Sequence, residues 1–346
     1  MAYTTIDKPS DYFNTKLYTG NGSTQSITGV GFQPDMSWTK VRSETGSHRL
    51  VDAVRGNTKF IYPNGTDAEA TVTTNVTSFD SDGYTLGNGS INESARTYVA
   101  WNWLAGGSAS SNSNGSITST VSANTTSGFS IVSYTGNGSA GATVGHGVGS
   151  ALDMIIVKKR SSTAQWVVGH KAMDSTFDNF LFLDSDSAKG NADNVFNDTA
   201  PTSSVFSIGN AGDTNASGQT YIAYCFADVK GYSKFGSYTG GGSNFPFIYT
   251  GFKPSWLMVK NTSNNARNWT IIDNKRNPFN PEDEWLYANA SDSTFDASSY
   301  PTDFVSNGFK IRNTGSYFNT SGENYIYMAF AENPFVTSTG IPTTAR

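Results

Sequence analysis

The chain has 346 residues, a formal net charge of -5, a charged fraction of only 15%, an aromatic fraction of 13% and 35 glycines. A charged fraction below the roughly 25% of ordinary soluble domains, together with many aromatic side chains, excludes a disordered chain and predicts packed cores beneath a surface of hydroxyls and amides. The longest basic cluster is residues 158–160. This excludes an electrostatic nucleic-acid footprint, and no apolar run approaches the roughly 20 residues of a membrane helix.

The chain begins MAYTTIDKPSDYFN, without the basic and apolar regions of a secretory signal. We therefore expect a protein whose surface is suited to the outside of a cell but which has no secretory signal to export it. The single cysteine, Cys225, excludes disulfides within the chain and a cysteine-based zinc site. Its aromatic neighbours predict a small buried side chain.

Three short strings recur in the same order along the chain. A glycine-rich turn after a tyrosine comes first, an apolar string that ends in lysine comes second, and an aromatic string closes each unit. The copies are LYTGNGS, SYTGNGS and SYTGGGS at 17–23, 133–139 and 237–243, then GFQPDMSWTK, GSALDMIIVKK and GFKPSWLMVK at 31–40, 149–159 and 251–260, then YVAWNWLA, YIAYCFA and YIYMAFA from 98, 221 and 325. The turn tyrosine lies at 18, 134 and 238, so the period is 116 and then 104 residues, which is too long for a solenoid and similar to one small domain.

Short runs rich in Val, Ile, Tyr, Phe, Trp and Thr lie between clusters of Gly, Asn, Asp and Ser, which predicts strands and turns. A tryptophan-centred strand is expected at Trp166–His170 and at 269–273, and residues 48–52 fit the same place in the first unit. Asp82-Gly83 and Asn307-Gly308 predict hairpin turns. The predicted fold class is therefore all-β, with three tandem related antiparallel β-sandwich modules that are jelly-roll-like.

The repeat also predicts the domain boundaries. Module 1 is expected at residues 1–107, module 2 at 128–232 and module 3 at 233–335, with a C-terminal tail at 336–346. Residues 108–127 read as a linker rich in Ser, Asn and Gly, flexible in its first half and with an edge strand in its second half, where Ile117 and Val121 alternate. Six side chains are expected in the core of module 2: Tyr134, Ile155, Val157, Trp166, Tyr221 and Phe226.

The glycine-rich turn and the histidines are predicted to have structural and not catalytic roles. No lysine and no helix follow the YTGNG string, so we interpret it as a tight structural turn and not as a phosphate-binding loop. The chain has three histidines, His48, His146 and His170. His170 stands where the other units carry Asp52 and Asp273, which favours an exposed strand position over a catalytic one.

Three pairs of carboxylates could serve a glycosidase: Asp80 with Asp82, Asp184 with Asp186, and Glu282 with Glu284. All lie in polar, turn-like sequence, which indicates solvated carboxylates. A buried Asp184 or Glu282 opposite another carboxylate would change that interpretation. The string DSDSAKG resembles a calcium loop, but Lys189 stands where an EF-hand needs glycine. We predict no catalytic residue, metal or cofactor, and an oxygen-lined Ca²⁺ site stays an open alternative.

The seven tryptophans are mostly on strands that the repeat predicts, so most are expected in cores. Trp285 lies in the charged, non-repeated string NPEDEWLY. It is therefore the predicted surface aromatic and the candidate ligand-binding residue.

Several long phrases carry a family resemblance: MAYTTIDKPSDYFN, SFDSDGYTLG from Ser78, YVAWNWLAGG from Tyr98, the stretch at 115–160, and YIAYCFADVKGYSKFGSYTG from Tyr221. They resemble a family of repeat proteins encoded by bacteriophages, many of them marine, which carry the YTGNG motif and are described as structural, tail-fibre-like or uncharacterised. The resemblance spans nearly the whole chain. It implies a virion context with other virion proteins as partners, and it provides no catalytic residues.

The expected function is therefore that of a non-enzymatic virion protein exposed on the particle, a tail-fibre or receptor-binding component that recognises host surface glycan. A capsid decoration protein is the first alternative, and a polysaccharide depolymerase or a secreted adhesin are further ones. We expect a homo-oligomer, specifically a trimer, and neither a nucleic-acid partner nor membrane insertion. The expected location is the virion, after synthesis in the host cytoplasm and release by lysis.

Overall fold

Strands make up nearly all the regular structure of residues 2–343, the part of the chain that the computed structural model describes. The first unit has a 3-10 turn at Pro9–Asp11 and the strands β1 (Phe13–Thr19), β2 (Gln25–Ile27), β3 (Met36–Val41), β4 (Arg49–Asp52), β5 (Lys59–Phe60), β6 (Ala70–Thr71), β7 (Val76–Asp80), β8 (Gly83–Leu86) and β9 (Thr97–Trp103).

The second unit has β10 (Ser110–Asn112), β11 (Ser119–Asn124), β12 (Phe129–Thr135), β13 (Ala142–Gly145), β14 (Met154–Lys159), β15 (Trp166–His170), β16 (Asn179–Phe182), β17 (Gly190–Asn191), α1 (Asp193–Phe196), β18 (Val205–Ile208), α2 (Gly212–Asn215) and β19 (Thr220–Phe226). The third unit has β20 (Ser233–Thr239), β21 (Phe247–Tyr249), β22 (Phe252–Asn261), β23 (Thr270–Asp273), β24 (Glu284–Tyr287), β25 (Phe295–Asp296), β26 (Thr302–Val305), β27 (Gly308–Ile311) and β28 (Asn324–Pro334).

The same order of four strands occurs in three sheets. Sheet 1 is β1-β9-β3-β4, sheet 2 contains β12-β19-β14-β15, and sheet 3 contains β20-β28-β22-β23. Neighbouring strands in these sheets are antiparallel. Each unit also has a small sheet: small sheet 1 is β2-β8-β7, small sheet 2 is β13-β18 and small sheet 3 is β21-β27-β26. The all-β, antiparallel prediction is confirmed, whereas the module boundaries and a jelly-roll connection stay predictions.

Each large sheet is covered on both faces, because its side chains alternate between two cores. On β19, Ile222, Tyr224 and Phe226 enter a central core to which all three large sheets contribute. Tyr221 and Cys225 on the same strand face the core beneath small sheet 2. The six side chains expected in the core of module 2 are all buried. Trp166 and Phe226, however, lie in the central core that the three units share.

Hydrogen bonds between equivalent positions join the units into a closed ring. They run from Trp166 Nε1 to Tyr62 O (2.9 Å), from Trp269 Nε1 to Phe182 O (2.9 Å), and from His48 Nε2 to Tyr287 O (3.0 Å). Trp38 Nε1 donates to His48 Nδ1 at 2.8 Å, so the proton of the neutral ring is on Nε2 and the third bond has the same polarity as the other two. The three large sheets therefore surround one shared core.

Two of the three contacts between large sheets each contain a buried ion pair. Asp52 accepts from Arg55 Nε at 2.5 Å and from the hydroxyl of Tyr224 in the second unit at 2.7 Å. Asp273 likewise accepts from Arg276 Nε at 2.6 Å, and from a first-unit tryptophan. Since both carboxylates and both guanidinium groups are buried, each charge depends on its partner.

The third contact uses uncharged groups instead. His170 takes the position of the two aspartates and Met173 that of the two arginines, and Met328 is equivalent to Tyr224. The Nε2 atom of His170 lies 3.3 Å from Tyr327 O, and burial lowers its pKa to about 4. The prediction that His170 is exposed is wrong, because this strand end lies between the second and third large sheets.

The region predicted as a linker is part of sheet 2. Strand β11 lies in its second half, where an edge strand was expected, and pairs with β12. Strand β10, in the half expected to be flexible, pairs with β11 through Ser110 and Val121. The expectation of a flexible first half is therefore wrong. In the predicted tail, Ser338 N donates to Asp7 Oδ1 at 2.6 Å, while residues 344–346 lie outside the described residues. Among residues 2–343, no helix is long and apolar enough to cross a membrane.

Candidate functional site

The outer face of small sheet 3 carries a row of exposed aromatic side chains. Phe245 and Phe247 are each 47% exposed and Tyr249 is 56% exposed. Ile248 between them is buried against the core of the third unit. Because side chains alternate along a strand, the aromatic residues share the solvent face while Ile248 holds the strand on the core.

Two of these rings are held in place by their neighbours. A Cβ atom at Gly308 would lie 3.0 Å from Phe247 Cε2 and 2.0 Å from Ile248 O, so the Phe247 ring lies close over a position that only glycine can occupy. The hydroxyl of Tyr249 lies 3.0 Å from that of Tyr3, which donates to Gly251 O at 2.8 Å. The aromatic row is therefore partly ordered before any ligand binds.

Charged side chains lie beside the row on the same face. Lys310 is directly opposite Phe247 on β27, and Asp303 is opposite Lys310 on β26. Directly opposite residues of antiparallel strands point to the same side of the sheet. Arg312 Nη1 contacts both carboxylate oxygens of Asp303, at 3.1 and 3.2 Å. The face thus combines aromatic rings with groups that donate and accept hydrogen bonds. We name Phe245, Phe247, Tyr249, Lys310, Arg312 and Asp303 the aromatic face.

The other two units show that the fold does not require this row. The buried pairs Ile248 with Phe309, Ile27 with Tyr84 and Val144 with Phe206 align the three small sheets. The positions equivalent to Phe247 are then Ser26 and Thr143, and those equivalent to Tyr249 are Thr28 and Gly145. In the first and second units, small polar residues or glycine occupy these two strand positions. The fold therefore does not need aromatic side chains there, and those of the third unit have a role other than packing.

Trp285, the predicted ligand-binding residue, is not at the surface. It is 0% exposed and lies in the core of the third unit, with its ring centroid 4.9 Å from that of Phe318. The prediction is wrong because Trp285 is on β24 with its side chain in the core, although charged residues precede it in the sequence. Its equivalents, Phe60 and Phe180, identify a strand position that could have been found in the repeat.

The histidines and the cysteine are buried. Burial lowers the pKa of His48 well below its usual value and that of His146 to about 4. Each ring is held by hydrogen bonds, His146 by Val148 N and Thr202 O. Burial also raises the pKa of the Cys225 thiol. These groups stabilise the fold in their neutral forms.

Most of the candidate carboxylates have structural partners. Asp80 accepts from two side-chain hydroxyls, Asp82 accepts from Gly29 N and Gly31 N, and Asp184 accepts from Trp166 N. Within residues 2–343, no group of three or more His, Cys, Asp and Glu side chains could hold a metal ion.

The third pair differs from the prediction of solvated carboxylates. Glu284 pairs with Arg42 of the first unit at 3.3 Å. Glu282 is only 3% exposed, and its Oε2 atom makes no hydrogen bond to the described part of the chain. The interpretation of Glu282 as a solvated turn residue is wrong, because the turn folds back and pairs with Thr302 on β26.

Residues 8–334 match a family model described as a domain of unknown function (DUF7483). No curated protein and no solved structure matches the chain.

Proposed function

The chain belongs to the family described as a domain of unknown function (DUF7483). We propose that it is a non-enzymatic structural protein of a bacteriophage. We propose further that it is exposed on the particle and recognises glycan on the host surface. The observation that carries the recognition is the aromatic face, which one of three equivalent small sheets has and the other two lack.

The chemistry of the aromatic face suits a sugar. Aromatic rings that are half exposed can stack on the apolar faces of pyranose rings. Lys310, Arg312 and Asp303 can exchange hydrogen bonds with hydroxyls at the edges of those rings. With cations and a carboxylate on one face, the surface favours a neutral or weakly charged glycan over a polyanion.

The virion setting is supported by the resemblance of the long phrases to phage repeat proteins and by the low charge of the chain. The closed ring of three units adds support, because a rigid scaffold keeps a surface site in place on a particle. A trimer of whole chains stays a prediction, which light scattering of the purified protein would test.

Binding of the purified chain to host cells and to host envelope polysaccharide tests the proposal. Phe247→Ser with Tyr249→Thr introduces the residues of the first unit, so the small sheet should keep its fold. We expect this double variant to lose at least about tenfold in affinity, the loss of one or two good contacts. Ile341→Thr, an exposed apolar residue outside the sheet, is the matched control. Equal binding by the double variant and the control would contradict the role of the aromatic face.

A capsid decoration protein is the second candidate, and the ring favours it. Three similar units around one core could sit on a threefold position of a capsid lattice. Antibody labelling over the head of the particle, with no binding to host cells, would support this function and overturn receptor recognition.

A further inference from the structure

A pocket beside β24 contains a buried carboxyl that the fold does not need. Five positions separate Asp52 from Asn57 in the first unit, whereas nine separate Asp273 from the equivalent Glu282 in the third. In the second unit seven positions separate His170 from the equivalent Phe177, so this turn is longest in the third unit, where it includes residues 278–281. Asn280 anchors this turn to β26, since its side chain exchanges hydrogen bonds of 2.8 and 2.9 Å with the backbone of Phe304.

This turn and Lys253 of β22 line an open cavity of about 250 Å³. It is lined by Lys253, Pro278, Phe279, Asn280 and Glu282. Phe279 is 76% exposed, the largest exposed fraction among the large apolar side chains described. This volume lies just below the range of about 300–1,000 Å³ typical of small-molecule sites, so the cavity suits a single small ligand.

Glu282 supplies an unused polar group to this cavity. Its Oε2 atom is buried and has no hydrogen-bond partner in residues 2–343. Burial and the nearby Asp273 raise the pKa of Glu282 to about 9, against the opposing effect of Arg276 and Lys253. At neutral pH the carboxyl is therefore protonated, and it can donate one hydrogen bond and accept another.

The other two units act as an internal control for this position. Counting four residues back from the equivalent strand residues Ile61, Leu181 and Leu286 gives Asn57, Phe177 and Glu282. Phe177 is buried in the core of the second unit. A phenylalanine satisfies the fold there, so a buried carboxyl with an unpaired oxygen is a structural cost that points to a ligand.

The charges around Glu282 indicate which ligand fits. Lys253 forms an ion pair with Glu332, and Arg276 forms one with Asp273. Because these charges are already balanced, neither a cation nor an anion would find an uncompensated partner. An apolar ring surface at Phe279 next to a neutral carboxyl instead suits a ligand with one apolar face and several hydroxyls.

We infer that this pocket binds one neutral sugar unit, with the sugar ring against Phe279 and a hydroxyl at the carboxyl group of Glu282. The inference rests on the proposed recognition of glycan, and it adds a second contact point to the aromatic face. Glu282 acts here as a binding residue whose neutral carboxyl exchanges hydrogen bonds and does not transfer a proton.

Saturation-transfer NMR with neutral hexoses and N-acetylhexosamines at millimolar concentration tests the inference on the full chain. We expect Phe279→Ser and Glu282→Leu each to weaken sugar binding about tenfold, the effect of losing a stacking surface or a hydrogen bond. Glu282→Gln should bind nearly as well as the unmodified chain. The matched control is Ile341→Thr, an exposed apolar residue outside both the pocket and the aromatic face, which should leave binding of the single sugar unchanged. Melting curves should show Glu282→Leu to be at least as stable as the unmodified chain, because an apolar residue replaces a buried carboxyl.

The pH dependence separates a ligand contact from a structural role. Above about pH 9 the Glu282 carboxyl ionises and loses its proton to donate, so binding to the unmodified chain should fall while binding to Glu282→Gln should not. Asp273, Arg276, Lys253 and Glu332 are the charged groups around it, and all are present in both proteins.

The outcomes are distinguishable. Equal sugar binding by Glu282→Leu and the unmodified chain would overturn the inference about the pocket, and so would binding of polysaccharide but of no single sugar. In either case the proposed function stands if Phe247→Ser with Tyr249→Thr still removes polysaccharide binding. No binding of any glycan by the unmodified chain would overturn both. Release of reducing sugars that Glu282→Gln abolishes would overturn the binding role and indicate a depolymerase.

Discussion

Removing Arg55 tests whether the contacts between the large sheets are equivalent. In Arg55→Met, Asp52 would keep the hydroxyl of Tyr224 but lose its buried guanidinium partner. Arg55 also donates to Lys59 O at 3.0 Å and to Glu69 at 3.2 Å, so further acceptors lose their donor. Breaking a buried ion pair by removing one partner costs about 3–5 kcal/mol. We expect the free energy of unfolding to fall by that amount.

The third contact shows how that loss can be recovered. There, His170, Met173 and Met328 occupy the positions of Asp52, Arg55 and Tyr224. The triple variant Asp52→His, Arg55→Met and Tyr224→Met therefore gives the first contact the composition of the third. Replacing a whole buried ion pair by a packed uncharged set is close to neutral in stability. We expect the triple variant to recover most of the loss.

Urea unfolding followed by tryptophan fluorescence measures both variants against the unmodified chain. A loss below about 1 kcal/mol in Arg55→Met would show that the pair is worth no more than one on the surface. A triple variant no more stable than Arg55→Met would show that the first and third contacts are not equivalent, and would refute the reasoning.

Three further predictions concern stability. Trp166→Ala should lower the free energy of unfolding by about 3–5 kcal/mol, because it empties part of the central core and removes a hydrogen bond to Tyr62 O; a change in melting temperature below a degree would contradict its burial. Since the pKa of His170 is lowered to about 4, the folded state binds fewer protons than the unfolded state between about pH 6.5 and 4. The free energy of unfolding should therefore fall as the pH falls through that range, by up to about 1.4 kcal/mol per pH unit. The same dependence of the free energy of unfolding on pH in His170→Met would contradict this. The raised pKa of Glu282 makes stability depend on pH in the opposite direction: its contribution to the free energy of unfolding is complete below about pH 4.5 and is lost as the pH rises towards 9. Unfolding curves of Glu282→Leu should lack this decline. An identical decline in that variant would contradict the burial of a protonated carboxyl.

The sequence predicts those strands well whose residues recur in all three units. The strings MIIVKK and WLMVK become β14 and part of β22. Because these strings are apolar at nearly every position, they also predict that both faces of the strand are buried, as in a strand that lies between two cores. The sharing of one central core by three sheets is a long-range contact, and local patterns do not encode it.

Two kinds of residue could not be placed by composition alone. Trp285 and Glu282 lie in charged sequence, yet the turn around them folds against the core, so polarity of the neighbours misled the prediction. Ser110 lies in Ser- and Asn-rich sequence with low strand propensity, but pairing with β11 overrides that preference.

The aromatic face contains no tryptophan, so a prediction of ligand residues from exposed tryptophans does not identify it. A signal was nevertheless present in the repeat, since Phe247 and Tyr249 replace small residues at aligned positions. An exchange of that kind between copies of one fold identifies positions that packing does not determine. The same comparison identifies Glu282, whose equivalents are an asparagine and a phenylalanine.

The proposed function requires that the protein is exposed on a virus particle and contacts the host there. Electron microscopy of intact particles labelled with antibody to the purified chain tests it most directly. We predict label at the tip of the tail, and loss of particle adsorption when the antibody is bound. No label on particles, with the protein abundant in infected cells, would contradict the proposal.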